Sequence, residues 1–110
     1  MAGWYELNKS SDGQYRFLLK DDGGDTLLTS ELYRGKDAAK SGVASVQANS
    51  SLDAMYEKLV SDNGKPYFNL KAANHQVIGT GKMYASEQAR DAGIASVKLN
   101  GATTTLKDNT

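Results

Sequence analysis

Gly-Val-Ala-Ser-Val-Gln-Ala-Asn at residues 42–49 returns as Gly-Ile-Ala-Ser-Val-Lys-Leu-Asn at residues 93–100. The two stretches are 51 residues apart, and the same offset aligns residues 4–49 with residues 55–100 without a gap. Fifteen of these 46 aligned positions are identical, and they are spread along the whole unit. A fixed period of this length predicts one supersecondary unit that is used twice.

The size of the chain limits how these units can fold. At 110 residues it suits one small domain, and a unit of about 50 residues buries too little apolar surface to be robust alone. We therefore expect a single domain over 1–110, made of two repeats at about 1–51 and 52–110. The connection at 50–53 is short and polar, unlike a flexible linker, so the repeats should pack together.

Three strands are predicted at the start of each repeat. Tyr15, Phe17 and Leu19 alternate with residues of the opposite face, and a period of two marks a strand with one buried face. Gly13 and its counterpart Gly64 suggest turns with positive φ. The remaining predicted elements are hairpin turns at 21–24 and 72–75, third strands near 26–29 and 77–80, and extended segments at 54–59 and 103–107.

A helix is predicted to close each repeat. Ser86 is a good N-cap for the second helix, and Gly35 is a weaker cap for the first. Residues shared by the two helices follow one helical stripe, which predicts the side that packs on the sheet. These shared residues are Ala38, Gly42, Ser45, Val46 and Asn49, and then Ala89, Gly93, Ser96, Val97 and Asn100. The expected fold is α+β, with one antiparallel sheet and both helices on one face.

The residues that repeat also resemble a known family. They are Gly13 with 17–20 and 30–33, then 42–46, and in the second copy 68–72, 83–84 and 93–98. They are similar to the repeat of the bacterial YegP-like family of uncharacterised proteins, over essentially the whole chain. The resemblance implies two βββα(β) units related by a pseudo-two-fold axis, with their C-terminal strands exchanged. It implies a monomer that is a covalent pseudo-dimer, and it brings no known activity, cofactor or catalytic residue.

The composition excludes several classes of protein. The chain has no cysteine, which excludes disulfides and thiol chemistry and suits a reducing compartment. Thirteen basic residues balance thirteen acidic ones, so no overall field attracts nucleic acid or anionic lipid. Residues 1–6 lack the basic start and apolar core of a signal peptide, and no run is long enough to span a membrane. We expect a soluble cytoplasmic protein.

Candidate catalytic groups are few. His75 is the only histidine, and it falls in a predicted hairpin turn without neighbours that could complete a metal site. Glu6 and Glu57 are equivalent residues that could form a carboxylate pair near the pseudo-two-fold axis. The simpler interpretation pairs them across neighbouring strands with Lys20 and Lys71. The sequence therefore predicts no catalytic residue, no metal ligand and no cofactor.

One surface remains for a binding function. If the sheet is covered on one face, its other face should carry Arg16, Lys20, Tyr67, Asn69 and Lys71. Basic and aromatic side chains on an open sheet are typical of some RNA-binding proteins, but a solvated sheet face looks similar. The leading hypothesis is a non-enzymatic interaction or accessory module with an unknown protein partner. The alternative is binding of nucleic acid or a small ligand on the open face.

Overall fold

The computed structural model describes residues 3–110; Met1 and Ala2, part of the segment considered above for a signal peptide, lie outside the described residues. The elements of the first repeat are β1 (Trp4–Lys9), β2 (Tyr15–Lys20), β3 (Thr26–Thr29) and α1 (Lys36–Asn49). A short 3-10 helix (Asp53–Met55) leads into β4 (Tyr56–Val60), β5 (Pro66–Lys71), β6 (Val77–Thr80), α2 (Glu87–Asn100) and β7 (Leu106–Asp108).

All seven strands form one sheet in the order β4-β5-β6-β3-β2-β1-β7. The two three-stranded units meet where β3 pairs with β6, at Thr29 opposite Thr80. These two threonines are equivalent residues of the repeats, so the pseudo-two-fold axis passes between them. The predicted continuous, pseudo-symmetric sheet is confirmed.

The prediction of a purely antiparallel sheet is wrong at one edge, because β7 runs parallel to β1. The reason is where α2 ends. Gly3 N donates a hydrogen bond to Asn100 Oδ1 (2.8 Å), so the chain leaves α2 beside the start of β1 and then follows β1 in the same direction. The exchange of the C-terminal strand into the first repeat is confirmed.

A matching irregularity occurs in both third strands. The register of β2 with β3 shifts between Leu19 and Lys20, which leaves Leu27 as an extra residue. The same shift in β5 and β6 makes Ile78 the extra residue. Because a β-bulge redirects a side chain, Leu27 can join the buried core together with its neighbour Leu28.

One hydrophobic core receives residues from both repeats. It lies between the sheet and the two helices, and each helix contacts both β2 and β5. The predicted helical stripe is only partly right: Gly42 and Gly93 are buried, but Ala38 is exposed. The next residue, Ala39, faces the core instead, because it continues the face formed by the buried Gly42, Val43 and Val46. Its counterpart is Arg90, so identity between the copies does not mark this core position.

Candidate interaction face on the open side of the sheet

The sheet face opposite the helices, here called the open face, carries a row of side chains across the pseudo-two-fold axis. The pairing registers place one residue of each strand in this central row. From β4 to β7 the row consists of Glu57, Asn69, Thr80, Thr29, Leu18, Glu6 and Lys107. The four consecutive members from Asn69 to Leu18, here called its inner residues, carry no charge, and all four are half-buried.

The five binding residues predicted from the sequence lie on the open face in two groups. Arg16 and Lys20 are on β2, whereas Tyr67, Asn69 and Lys71 are on β5. Because β3 and β6 lie between these strands, the groups are three strand spacings apart, or about 14 Å. The structure thus brings each group together without joining the two groups into one basic and aromatic patch.

Two members of the β5 group already have partners. Lys71 Nζ lies 3.1 Å from Glu57 Oε2 on the neighbouring strand, which confirms the simpler interpretation of that glutamate. Thr80 Oγ1 donates a hydrogen bond to Asn69 Oδ1 (2.9 Å). These contacts tie the two side chains to the strands on either side of β5.

The carboxylate pair considered from the sequence does not form. Glu6 is on β1 and Glu57 is on β4, and five strand spacings separate these strands, or about 24 Å. The two residues are related by the axis, but they lie far from it on opposite sides. Glu6 instead accepts a hydrogen bond from Trp4 Nε1 (2.9 Å).

Trp4 and Lys107 are residues of the open face that the sequence did not reveal. Lys107 Nζ lies 3.9 Å from the centre of the Trp4 ring system, a cation–π contact. The contact depends on β7 pairing in parallel with β1. No local pattern in the sequence indicates that pairing.

His75 is an exposed turn residue between β5 and β6. Its φ of 68° is left-handed and corresponds to the φ of 91° at Gly24 in the equivalent turn. The preceding residue, Asn74, uses its side-chain oxygen to accept a hydrogen bond from Gln76 N (3.1 Å). Within residues 3–110, no group of three or more His, Cys, Asp or Glu residues is placed to hold a metal ion.

Two tyrosines, the buried Tyr5 and the half-buried Tyr56, bind the ends of the helices. Tyr5 Oη donates to the Gly101 carbonyl oxygen (2.7 Å), and Tyr56 Oη donates to the Ser50 carbonyl oxygen (2.6 Å). Burial raises the pKa of both hydroxyls well above its ordinary value, as it does more weakly for the pKa of Tyr33 and Tyr84. The two hydroxyls therefore act as neutral donors that satisfy helix-end carbonyls.

The helices of the described chain are too short and too polar for any of them to cross a membrane.

Comparison with known proteins identifies relatives over the full length. The chain is 66% identical to a UPF0339 protein of Acinetobacter baylyi, over 100% of this chain and 99% of that protein. It is 61% identical to the UPF0339 protein YegP of Escherichia coli K12, over 100% of both.

Two solution NMR structures have the same fold. That of YegP from E. coli, described as a protein of unknown function, matches with a TM-score of 0.95 and 61% identity, over 100% of this chain and 95% of that one. That of UPF0339 protein SO3888 from Shewanella oneidensis matches with a TM-score of 0.93 and 61% identity, over 98% and 92%.

The family model described as Domain of unknown function (DUF1508) matches twice, at residues 10–57 and 61–108. Each match runs from the turn before the second strand of a repeat, through its helix, into the strand after that helix. The strand that is exchanged is thus part of the family's own unit. The chain belongs to the DUF1508 family, as a tandem-repeat UPF0339 protein of the YegP type.

Proposed function

We propose that this protein is a non-enzymatic interaction module that binds a protein partner through the open face. The observation that carries the proposal is the central row. Its inner residues, Leu18, Thr29, Thr80 and Asn69, are uncharged and half-buried although no element covers them within residues 3–110. Charged residues lie outside them, at the ends of the row and on either side.

This distribution of side chains is the one that protein interfaces have. Interfaces between proteins are depleted of charge at their centre and carry a polar, charged rim. The size also fits. Seven strands span about 29 Å and a six-residue strand about 20 Å, which gives roughly 600 Å² of flat area. A standard interface buries about 800 Å² per partner.

Placement of the reactive side chains supports the non-enzymatic part of the proposal. His75 is exposed in a turn, and Tyr5 and Tyr56 are occupied with helix-end carbonyls. A catalytic site needs such groups to converge in one pocket. The absence of cysteine agrees with a function in the reducing cytoplasm.

Nucleic-acid binding is the alternative use of the same face. It is favoured by Arg16 and Tyr67, which are exposed or half-exposed there. The division of the five predicted residues into two groups weakens it, and so does the ion pair that neutralises Lys71. Nucleic-acid binding sites rely on a continuous basic surface along the phosphate backbone.

A substitution at the centre of the face tests the proposal. T29R adds a charge to the middle of the central row, and A38R adds the same charge on the exposed side of α1 as a matched control. Tagged wild-type, T29R and A38R proteins are expressed at natural level in the bacterium, and co-purified proteins are quantified by mass spectrometry. Thermal melts confirm that each bait is folded.

We expect wild-type and A38R baits to retain the same partner, and T29R to lose it by about tenfold or more, because a buried unpaired charge is costly at an interface. A partner retained equally by T29R would contradict the use of this face. Short RNA that shifts the NMR signals of Arg16, Lys20, Tyr67 and Lys71 at low salt, and less at high salt, would favour the alternative.

A further inference from the structure

The two edges of the sheet differ, and the difference breaks the pseudo-two-fold symmetry. The repeat relates β1 to β4 and α1 to α2. On the first edge, β7 lies outside β1, but within residues 3–110 no strand lies outside β4. The fold of the described chain therefore fills the position outside β1 and leaves the equivalent position outside β4 open.

The filled edge shows how such a strand is held. Tyr5 N donates to the Thr105 carbonyl oxygen (2.9 Å), and Asn109 N donates to the Leu7 carbonyl oxygen (2.8 Å). The helix contributes as well, because Lys36 Nζ on α1 lies 2.6 Å from Asp108 Oδ2. The bound segment therefore contacts β1 through its backbone and the start of α1 through a side chain.

An open groove lies at the equivalent place beside β4. It has a volume of about 480 Å³ and runs between β4 and α2. Tyr56, Ile94 and Ala95 give it apolar walls, and Lys58, Asp91, Asp53 and Lys98 line it with charge. Because Tyr56 N already donates to the Asp53 carbonyl oxygen, a strand added here would lack the hydrogen bond that Tyr5 N makes on β1.

We propose that the outer edge of β4 and this groove bind an extended segment of another protein, parallel to β4, with an apolar residue followed two positions later by a basic residue. This mode of recognition, in which a peptide adds a strand to an exposed sheet edge, is common among binding modules. The site is separate from the open face, and it extends the protein's function beyond the one proposed above.

The apolar residue follows from the filled edge. Leu106 lies level with Tyr5, whose side chain is in the core on the helix side of the sheet, and Leu106 itself is 37% exposed at the edge. The equivalent residue of a segment on β4 lies level with Tyr56 and enters the groove beside Ile94 and Ala95. Burial of an apolar side chain there supplies affinity that the short backbone pairing lacks.

The basic residue follows from a reversal of charge on the helices. Lys36 and Lys40 of α1 correspond to Glu87 and Asp91 of α2. Asp91 Oδ1 is already paired, at 3.3 Å from Lys58 Nζ and 3.2 Å from Arg90 Nη2. Glu87 is 78% exposed and only 3.9 Å from Arg90 at its nearest. Lys58, which lies level with the residue equivalent to Asp108, is already held by Asp91. Glu87 is therefore the weakly paired charge that meets this residue, and a basic side chain suits it.

The same reversal argues against a second copy of this chain as the occupant. Its own C-terminal segment would bring Asp108 next to Glu87, and like charges at such a distance oppose binding.

Two synthetic peptides test the proposal against isotope-labelled full-length protein. One has the sequence of residues 103–110, and the other is the same peptide carrying D108K. NMR titration follows the amides of β4 and of the groove residues on α2. We expect the D108K peptide to shift these signals and to bind about threefold more tightly than the unmodified peptide, as one exposed charge pair allows. In the protein variant E87K the order of affinity should reverse, so that the unmodified peptide binds more tightly than the D108K peptide.

A blocked groove supplies the control. A95W fills the space between β4 and α2 from an exposed helix position, and A38W places the same residue on the exposed side of α1. We expect A95W to abolish binding and A38W to preserve it, and T29R on the open face to preserve it as well. Three results would overturn the proposal: no shifts with millimolar peptide, equal affinity for both peptides in wild-type and E87K proteins, or shifts confined to β1 and β7.

Discussion

Single residues decide how closely α1 approaches the sheet. A Cβ atom added at Gly42 would lie 2.6 Å from Tyr33 Oη and 2.8 Å from Phe17 Cε2. Phe17 is fully buried and cannot move away. We expect G42A to lower the free energy of unfolding by about 2 kcal/mol through overpacking, despite the gain of about 1 kcal/mol in helix propensity. Chemical denaturation measures the change.

The equivalent glycine is the matched control. The three atoms nearest to a Cβ atom added at Gly93 all belong to Tyr84. Tyr84 is only half-buried, so its ring can turn outward. We expect G93A to cost less than G42A, by about 1 kcal/mol or more. Equal stability of the two variants, or a G42A protein as stable as the wild type, would contradict this account of the packing.

Ionisation of the Tyr5 hydroxyl should make the free energy of unfolding depend on pH in the alkaline range. Burial, and then the charge of Tyr56, raise the pKa of its hydroxyl above the ordinary value of 10. The folded protein holds this proton more tightly than the unfolded chain, so the stabilisation is complete below pH 10 and is lost as pH rises beyond it. We expect the free energy of unfolding to fall above pH 10, with Tyr5 contributing up to about 1.4 kcal/mol per pH unit.

The variant Y5F isolates this contribution. It loses the hydrogen bond to the Gly101 carbonyl oxygen and should be less stable at neutral pH by about 1 kcal/mol. Above pH 10 its stability should fall less steeply than that of the wild type. Urea denaturation at a series of pH values gives both slopes, and parallel curves would show that Tyr5 does not carry the effect.

At the scale of elements, the two helices differ in their N-caps. Ser86 Oγ accepts a hydrogen bond from Ala89 N (3.1 Å), whereas Gly35 supplies no side-chain cap to α1. Gly35 has an extended backbone with φ of −118°, and nothing lies within 4 Å of a Cβ atom added there. We expect G35S to raise the melting temperature, with a gain of about 0.5 kcal/mol.

The reverse change on the other helix completes the comparison. S86A removes the cap of α2 and should cost about 1 kcal/mol. Both variants are compared with the wild type by thermal and chemical denaturation under one set of conditions. A G35S protein that is less stable than the wild type would mean that α1 is capped by a different arrangement.

The elements also show which parts of this fold a sequence can predict. The bounds of β3 and β6 and the starts of both helices match the prediction, because periodicity and the caps Gly35 and Ser86 are local signals. The parallel pairing of β7 is not local, since it depends on where α2 ends relative to β1. The sequence did not predict that Ala39 is a core residue, for a similar reason. Ala39 and Arg90 differ, and only packing shows that both are buried.

The open face shows the same limit. Alternation along β2 and β5 placed Arg16, Lys20, Tyr67, Asn69 and Lys71 on the open face, as the structure has them. It could not give the strand order, so the separation of the two groups and the distance between Glu6 and Glu57 emerge only from the assembled sheet. Thr29 and Thr80 are identical in the two repeats, but nothing in the sequence places them at the centre of the face.

For the whole molecule, the decisive property is the core that the repeats share. α1 packs on β2 of its own repeat and on β5 and β6 of the other, and α2 packs on β5, β3 and β2. The ends of the helices meet as well, because a Cβ atom at Gly101 would touch Ser50. Neither repeat can therefore bury its apolar face without the other.

Division of the chain tests this interdependence. Fragments 1–51 and 52–110 separate the repeats within the polar connection between α1 and the 3-10 helix. Each fragment alone should be unfolded or should self-associate, because half a core buries too little apolar surface. When mixed, the fragments should restore the NMR spectrum of the intact protein, since Tyr56 Oη can again donate to the Ser50 carbonyl oxygen. Analytical ultracentrifugation with thermal melts distinguishes the outcomes, and two fragments that each melt cooperatively as monomers would refute a shared core.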